Sequence, residues 1–256
     1  MHYELTTSCY VLRVDKYVLC VNSTYQNKPY KNEKQIMVQV ISVVQEKGGA
    51  GKTTLLTAIA SLMVADGAKV AVIDTDPQRH LEAWAKKEKT PLDWTYVEDD
   101  EMLLPTVKAL KKETEEYDVI FVDTAGFKSA MAMHAIAVAN LILIPSKANE
   151  ADARGAKRTF SHVKSISDTI EKSLASYVIM MDIDTNTNIT SAITEALDSQ
   201  GVPRLKAMCG HRTGFKEMTS TGKAPEGSAK RSIQSVLAEL QANGLLEYYR
   251  SVKWQS

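Results

Sequence analysis

One stretch limits the folds open to this chain more than any other: the apolar run MVQVISVV, beginning at Met37, leads straight into QEKGGAGKTTLL. β-Branched and aliphatic residues favour a buried strand, and the residues after the glycines are typical of a helix. A strand, a glycine-rich loop and a helix N-terminus in this order form a site for phosphate, because backbone N–H groups and the helix end attract anions. The sequence therefore predicts a nucleotide-binding loop.

The residues of this loop have distinct expected roles. Glycine lets the backbone approach phosphate oxygens because no Cβ intervenes. Lys52 is expected to reach the β- and γ-phosphates, Thr53 to ligate Mg²⁺, and Thr54 to approach the α-phosphate. The full set expected to contact the nucleotide here is Gly48, Gly49, Ala50, Gly51, Lys52, Thr53 and Thr54.

Downstream of Met37, short apolar runs alternate with segments of helical pattern. The runs are continuously apolar, as expected of strands in a sheet that is covered on both faces. We therefore predict an α/β fold: a doubly wound, mostly parallel β-sheet flanked by helices, of the P-loop NTPase type. The predicted strands are 38–44, 69–74, 94–97, 118–123, 141–145, 177–181 and 205–209, and the predicted helices are 52–66, 77–89, 100–115, 128–137, 150–172, 189–200 and 228–242.

Residues 1–36 differ in character from the rest of the chain. CYVLRVDKYVLCV favours two short strands, and NSTYQNKPYKNEKQ then has the composition of a polar linker. We predict an N-terminal extension over 1–36 and a single domain over 37–256. Whether the extension is native or follows from an upstream start codon stays open at this point.

Charge and cysteine content narrow the classes of function. Lysine plus arginine equals aspartate plus glutamate, 31 each, so overall charge does not indicate nucleic acid and any such site must be a local patch. Three scattered cysteines favour neither a disulfide framework nor a zinc site. No apolar run approaches the roughly 18–20 residues of a membrane span, and the N-terminus lacks a signal-peptide pattern. We expect a cytoplasmic protein.

A second lysine, Lys47, stands directly before the glycines and completes the pattern K-G-G-x-G-K-T-T. With it, the chain resembles the ParA/MinD family of deviant Walker A ATPases over about residues 37–245. The resemblance implies ATP and Mg²⁺ as cofactors, and a homodimer in which Lys47 reaches the phosphates of the partner's nucleotide. The family usually has asparagine and glutamine before this lysine. Here these are Gln45 and Glu46, which brings a carboxylate near an anionic site or beside a basic group.

The stretch KVAVIDTDPQRHLEAW places Asp74 and Asp76 at the end of a predicted strand. It resembles the second acidic motif of the family, and Trp84 is similar to a tryptophan of small plasmid-type ParA partition proteins. The resemblance implies that Asp76 positions or activates the attacking water and that Asp74 supports the outer shell of the metal. Arg79 stands where the family commonly has glycine, and in this it is similar to the ATPases that assist T-DNA transfer from tumour-inducing plasmids.

The run YDVIFVDTAGF has the pattern of a strand that ends in a metal-binding aspartate. We expect Asp123 to hold Mg²⁺ through water and Gly126 to offer its backbone N–H near the γ-phosphate. The letters DTAG also occur in signal-recognition-type GTPases, which read guanine with Asn/Thr-Lys-x-Asp. The nearest match, PSKANEAD, has Asn149 where that motif needs aspartate, so we favour ATP over GTP.

Two further sets of contacts are implied by the resemblance. Base contacts are expected after the strand at 177–181, where Asn186 occupies a position that relatives often fill with arginine. From residue 200 onward the sequence has nine basic and four acidic residues, a local excess of five positive charges. ParA relatives bind non-specific DNA through C-terminal basic residues, and Arg212, Lys230 and Arg231 stand closest to those positions.

The resemblance thus implies a slow ATPase, stimulated by a ParB-like or other activating partner and associated with the nucleoid. It would partition or position plasmid DNA, chromosomal DNA or other cargo, or assist conjugative DNA transfer. One alternative is a MinD-like, membrane-associated positioning ATPase; the tail LLEYYRSVKWQS carries only two basic residues, so we do not expect a membrane anchor. The other is a metabolic or assembly factor, whose carrier members normally have a paired-cysteine motif that this sequence lacks.

Overall fold

The computed structural model describes residues 9–14, 17–22, 38–87, 92–112, 117–126, 130–184 and 187–246. The chain divides into two compact units, Met1–Gln35 and Ile36–Ser256. In the first unit, strands β1 (Cys9–Val14) and β2 (Tyr17–Asn22) pair antiparallel, in agreement with the two short strands predicted there. The role of this segment as an extension stays a prediction.

The second unit is built on a seven-stranded sheet within the described residues, and its strands are all parallel. In chain order they are β3 (Gln39–Val43), β4 (Val70–Asp74), β5 (Asp93–Tyr96), β6 (Val119–Asp123), β7 (Leu141–Ser146), β8 (Ala175–Ile183) and β9 (Cys209–Gly210). Their order across the sheet is β5-β4-β6-β3-β7-β8-β9. The strands β3, β4, β6 and β7 are buried along their whole length, which explains why their sequences do not alternate.

Helices cover both faces of this sheet. In chain order they are α1 (Lys52–Ala65), α2 (His80–Ala85), α3 (Asp100–Lys112), α4 (Ala130–Val138), α5 (Glu150–Thr169), α6 (Asn188–Ser199), α7 (Thr213–Thr221) and α8 (Gly227–Ala242). α1, α2, α7 and α8 share one apolar core with the sheet, and α3, α4, α5 and α6 pack on the opposite face. The predicted doubly wound α/β fold is confirmed.

The central strands bring three loops to one edge of the sheet. β6 pairs with β3 on one side and with β4 on the other, and the register sets Asp123 beside Val43 and beside Asp74. Because the strands are parallel, the segments that follow β3, β4 and β6 leave the sheet at the same edge. The strands β4 and β6 lie on one side of β3, and the next strand in the chain, β7, lies on the other. The order of the strands thus reverses at β3, and open α/β sheets bind ligands at the carboxyl end of such a topological switch point.

The last strand is shorter than predicted. The sequence predicts a strand over 205–209, whereas β9 covers only Cys209–Gly210 and a single bridge joins Val178 to Arg204. The reason lies on α8: the carboxylate of Glu239 accepts the backbone N–H groups of Lys206 and Ala207 at 2.8 and 2.6 Å. These two residues therefore bond to a helix instead of extending the ladder.

Helix α7 was not predicted at all. Its sequence, TGFKEMTST, contains only two large apolar residues, and these are the two that the structure buries, Phe215 and Met218. Two apolar positions three residues apart are too few to produce a clear helical period. This helix matters because it forms one wall of the site described below.

Candidate nucleotide site

The loop between β3 and α1 has the backbone that its glycines allow. Gly49 and Gly51 have φ angles of 72° and 100°, left-handed values that would strain a residue with a Cβ. Gly51 directly precedes α1, and its carbonyl accepts the N–H of Leu55 at 2.8 Å. Within the described residues no side chain caps this helix, so its first N–H groups point toward the space that a bound anion would fill.

Thr53 and Asp123 meet at the base of this loop. The Thr53 hydroxyl donates to Asp123 Oδ2 at 2.7 Å, and Asp123 is fully buried. Burial raises the pKa of Asp123 to about 7, the hydrogen bond from Thr53 opposes this rise, and the neighbouring carboxylate of Asp74 adds to it. Asp123 Oδ1 is buried and has no hydrogen-bond partner among the described residues. A buried carboxylate with an unused oxygen fits Mg²⁺, which prefers hard oxygen ligands.

Lys52 is the first residue of α1 and is largely buried. Burial lowers the pKa of its ammonium, and the carboxylates of Asp123 and Asp76 act in the opposite direction. Because a desolvated ammonium is stabilised by a nearby anion, this environment suits contact with a phosphate. The placement agrees with the role expected of Lys52.

Asp74 has a role in the structure that the sequence did not indicate. It is fully buried, its Oδ1 accepts the N–H of Asp76 at 3.0 Å, and its Oδ2 accepts the N–H of Glu82 at 3.2 Å. Burial raises the pKa of Asp74, while these two backbone N–H groups lower it. Both oxygens thus hold the segment that carries Asp76, and support of a metal by Asp74 stays a prediction.

Asp76 lies in a tight turn, Thr75–Arg79, called here the Asp76 loop. Asp76 Oδ1 accepts the N–H of Gln78 at 2.9 Å, and the Asp76 carbonyl accepts the N–H of Arg79 at 2.8 Å. At its other end, Thr75 donates both its N–H and its hydroxyl to the carbonyl of Asp123, at 3.0 and 2.7 Å. The Asp76 loop is therefore fixed to β6 by hydrogen bonds.

A cavity of about 490 Å³, the loop cavity, collects most of the predicted nucleotide residues. From the predicted set it is lined by Gly48, Gly49, Gly51, Lys52, Thr53, Thr54, Asp76 and Gly126. Gly126 also lies close to the start of the glycine loop, since a Cβ there would be 3.3 Å from the carbonyl oxygen of Glu46. His80 lines the loop cavity as well; sequence reasoning missed it because an isolated histidine shows no spaced partner.

A second cavity of about 390 Å³, the side cavity, adjoins the first and shares Gly49, Gly51 and Thr54 with it. Met181 and Phe215 give it apolar walls, and Lys147, Asp182, Arg212 and Lys216 give it charged ones. Ala50 also borders it. Arg212, expected from the sequence to contact DNA, thus lies beside the glycine loop. Asn186, expected to contact the base, falls outside the described residues.

Asp182 is the only acid in the wall of the side cavity as the described residues define it. Its backbone is left-handed, with φ of 54°. Its carboxylate bonds to His211 Nδ1 and lies 3.5 Å from Lys147 Nζ. Partial burial alone would raise the pKa of Asp182, but the hydrogen bond from His211 and the charge of Lys147 lower it. The hydrogen bond with His211 and the nearby ammonium of Lys147 thus favour the ionised form of Asp182, a feature that no local sequence pattern predicts.

Lys47 does not line either cavity. Its Nζ lies 2.8 Å from Asp152 Oδ1 on α5, and the Lys47 side chain is 44% exposed whereas that of Asp152 is 2% exposed. Asn149 caps α5 by accepting the Asp152 N–H at 2.9 Å, and its amide donates to Asp152 Oδ2 at 2.6 Å. Asn149 is thus used as a helix cap, which explains the asparagine in PSKANEAD.

The two residues before Lys47 are also bound to the sheet and to α5. The Gln45 amide donates to the carbonyl of Pro145 at 2.9 Å and accepts the Thr159 hydroxyl at 3.1 Å. Glu46 accepts the Arg158 guanidinium at 2.7 Å. The carboxylate that departs from the family pattern is therefore turned toward a basic group on α5.

Lys230 and Arg231 lie in the first part of α8, and both are exposed. The opposite face of this helix is apolar and packs into the core through Ile233, Leu237 and Leu240. Their exposure is compatible with contact to DNA, and their role there stays a prediction. Among the described residues, no helix combines the length and the apolar character needed to cross a membrane.

Comparison with known proteins identifies the family of the chain. The profile of the family described as VirC1 protein matches residues 38–230. The chain belongs to the VirC1 family. A VirC1 protein of Rhizobium radiobacter is 28% identical over 191 residues, which cover 72% of this chain and 82% of that protein. A ParA protein from the same organism is 26% identical over 207 residues, which cover 78% of this chain and 93% of the relative.

Solved structures of the same fold include the septum site-determining protein MinD of Pyrococcus horikoshii in complex with Mg-ADP. It has a TM-score of 0.62 and 18% identity, and covers 82% of this chain and 99% of that one. The family match and the ParA relative confirm the resemblance to the ParA/MinD family, and the MinD structure agrees in fold. Membership of VirC1 also agrees with the similarity that Arg79 indicated.

Proposed function

We propose that this protein is a ParA-type ATPase that binds Mg-ATP and hydrolyses it to ADP and phosphate. One observation carries the proposal: the loop cavity gathers the glycine loop, Lys52, Asp76 and Gly126, with the unused oxygen of Asp123 buried behind them. A structural glycine turn would not require a buried lysine and Asp76 to line one cavity, nor a buried aspartate bonded to Thr53 of the same lining.

The residues of the loop cavity suit phosphoryl transfer to water. Backbone N–H groups and Lys52 would hold the phosphates, and Asp76, which lines the same cavity, would orient the attacking water. Thr53 and Asp123 would hold Mg²⁺, which when bound neutralises charge on the phosphate oxygens. Asp74 would act on the reaction by fixing the Asp76 loop through its two backbone hydrogen bonds.

The side cavity is the space next to the glycine loop that suits a nucleoside. Met181 and Phe215 offer apolar contact to a base, and the guanidinium of Arg212 has the planar shape that stacks on aromatic rings. The position at which the guanine motif needs aspartate is occupied by Asn149, and this residue caps α5. We therefore propose ATP rather than GTP as the substrate.

Dimerisation follows from Lys47. Since Lys47 does not line the cavity of its own subunit and is 44% exposed, it remains free to serve a second copy of the chain once its pair with Asp152 opens. We propose an ATP-dependent homodimer in which Lys47 contacts the nucleotide of the partner subunit. In the monomer, the buried carboxylate of Asp152 holds this lysine by an ion pair.

The proposed output is spatial. As a dimer the protein would bind DNA non-specifically through exposed basic residues, Lys230 and Arg231 first and Arg212 at the edge of the side cavity, and so associate with the nucleoid. An activating partner protein of the ParB kind would stimulate hydrolysis and release. The cycle would partition or position plasmid or chromosomal DNA or another cargo, or assist conjugative DNA transfer, as the family to which the chain belongs supports.

Fluorescence anisotropy of a random-sequence DNA duplex tests this function. The duplex is titrated with protein in Mg-ATP, in Mg-ADP and without nucleotide, at two salt concentrations. We expect binding with Mg-ATP alone, weakened steeply by salt because the contacts are to phosphates. The double variant Lys230→Gln, Arg231→Gln should weaken DNA binding. The control is Lys108→Gln, Lys112→Gln, which removes the same charge from exposed positions of α3 and should leave DNA binding unchanged. Absence of binding in every state would remove DNA from the proposal.

A further inference from the structure

Helix α2 follows the Asp76 loop directly, and its position depends on contacts with other parts of the fold. It has six residues, starts after Arg79 with no side-chain cap, and Arg79 is left-handed with φ of 51°. A helix this short is unstable in isolation. Its position is set by what its buried residues, Leu81, Trp84 and Ala85, contact.

Two contacts join the end of α2 to α7. The indole Nε1 of Trp84, which is 3% exposed, donates to the carbonyl of Met218 at 2.9 Å. Lys87, just beyond α2, donates from Nζ to the carbonyl of Thr219 at 3.0 Å. Both carbonyls belong to the last turn of α7, where the Met218 carbonyl also accepts the N–H of Gly222 and where a cation is favoured.

The same helix α7 forms a wall of the side cavity. Phe215, Lys216, Thr219 and Ser220 line that cavity. Thr219 also lines a third cavity of about 280 Å³, together with Thr53, His80 and Trp84, between α1, α2 and α7. A group that fills the side cavity therefore contacts the helix whose last turn holds α2.

We propose that Trp84 and Lys87 are positioning residues that fix α2, and with it the Asp76 loop, against α7. Through them, a nucleoside in the side cavity sets the position of Asp76 for hydrolysis. This inference rests on the proposed function, because it needs Asp76 to act on the triphosphate. It adds that the protein distinguishes a nucleoside triphosphate from a bare triphosphate at the hydrolysis step and not only in binding.

The test compares Mg-ATP with Mg-tripolyphosphate, which offers the phosphates without the nucleoside. The variant is Trp84→Phe with Lys87→Met. It leaves the Met218 carbonyl with the N–H of Gly222 and the exposed Thr219 carbonyl with water, so no buried acceptor is orphaned. Lys86→Met is the matched control, because Lys86 pairs with Glu82 and lies over the ring of Trp94, and no hydrogen bond or ion pair joins its side chain to α7 within the described residues. Circular dichroism establishes that each variant is folded.

For the variant we expect kcat with Mg-ATP to fall about tenfold, as displacement of a catalytic group does, with KM within about twofold of wild type. Hydrolysis of tripolyphosphate should change by less than about twofold, and Lys86→Met should match wild type with both substrates. An equal fall with both substrates would reduce the two residues to a structural role and overturn the inference. So would an unchanged rate with both.

Amide hydrogen exchange gives a second measurement that does not depend on turnover. In wild type, Mg-ADP should slow exchange over residues 75–85 more than Mg-pyrophosphate does, and the difference should vanish in the variant. A difference that persists in the variant overturns the inference alone. Failure of wild type to release phosphate from Mg-ATP, with or without DNA, overturns the proposed function and this inference with it.

Discussion

The ammonium of Lys47 and the carboxylate of Asp152 form an ion pair of 2.8 Å within one chain, at the N-terminal turn of α5. A lysine held in this way cannot contact the nucleotide of a second subunit at the same time. In the dimer that we propose, the pair would therefore compete with the use of Lys47, and its strength would be part of the dimerisation equilibrium.

We expect Asp152→Asn to strengthen the Mg-ATP-dependent dimer by about fivefold, because an ion pair with an exposed lysine is worth about 1 kcal/mol or less. The asparagine keeps an oxygen that can accept from Asn149. Sedimentation velocity over a concentration series measures the effect. Lys47→Gln is the companion variant and should abolish the dimer. A weaker dimer in Asp152→Asn would contradict the competition.

Glu46 and Arg158 permit a double-mutant cycle. Arg158 neutralises a carboxylate that lies next to the glycine loop, so Arg158→Gln should lower the affinity for Mg-ATP by about threefold through repulsion of the phosphates. Glu46→Gln in the same chain should restore the affinity, because the repelling charge is then absent. Isothermal titration calorimetry of wild type, the two single variants and the double variant gives the four values of the cycle. If the double variant binds no better than Arg158→Gln, charge is not the cause.

Asp123 should make the stability of the nucleotide-free protein depend on pH. Burial raises the pKa of this carboxyl to about 7, against about 3.9 in an unfolded chain. The folded state binds this proton more tightly than the unfolded state does. The contribution of Asp123 to the free energy of unfolding is therefore full below the unfolded pKa and is lost as the pH rises toward about 7.

Urea unfolding in EDTA at a series of pH values checks this. Asp123→Asn should show a smaller fall in the free energy of unfolding than wild type as the pH rises through this range. Mg-ATP, which requires the ionised carboxylate, should stabilise wild type more at alkaline than at acidic pH. Parallel pH profiles for wild type and Asp123→Asn would mean that other groups carry the dependence.

Arg79 adopts a left-handed backbone where relatives commonly have glycine, with φ of 51°, and its guanidinium lies 3.9 Å from the ring centroid of Tyr96. The left-handed conformation costs roughly 1–2 kcal/mol for a residue with a Cβ, and an exposed cation–π contact returns about 0.5–1 kcal/mol. Arg79→Ala keeps the strain and loses both the ring contact and the ion pair with Glu82, so it should be less stable than wild type. Arg79→Gly loses the same contacts but relieves the strain, so it should be more stable than Arg79→Ala. Denaturant unfolding gives the free energy of unfolding of the two variants. If Arg79→Ala were the more stable of the two, backbone strain at Arg79 would be refuted.

Lys52 and Asp76 should separate binding from hydrolysis. Lys52→Ala removes the buried ammonium of the loop cavity and should abolish detectable Mg-ATP binding. Asp76→Ala should bind Mg-ATP with about wild-type affinity, lower hydrolysis by about 100-fold and accumulate the dimer. Nucleotide binding by calorimetry and phosphate release give both quantities. Wild-type hydrolysis by Asp76→Ala would show that another group orients the water.

The part of the site that could be predicted from the sequence is the part that local patterns mark along the chain. Lys47 to Thr54 form one segment, and Asp76 and Asp123 each end an apolar run, so strand patterns alone place them at one edge of the sheet. The fold could be predicted for the same reason, since buried parallel strands leave continuous apolar runs.

What could not be predicted depends on contacts between distant segments. Glu46 and Arg158 are 112 positions apart, and Trp84 is 134 positions from the carbonyl it binds. Nothing local to either residue indicates the partner. Helix α7 could not be predicted because its polar residues face the side cavity and the solvent. Only two apolar residues remain to indicate a helix.

The two edges of the sheet are formed by its shortest strands, β5 with four residues and β9 with two. An edge strand displays unpaired backbone groups that can recruit the strand of another molecule, and short edges display few of them. Stacking of copies into a continuous sheet, the usual route from a native β-fold to a fibre, therefore has little template here. The proposed nucleotide-dependent dimer gains from this, because the edges formed by the described strands give copies of the chain little opportunity for competing strand pairing.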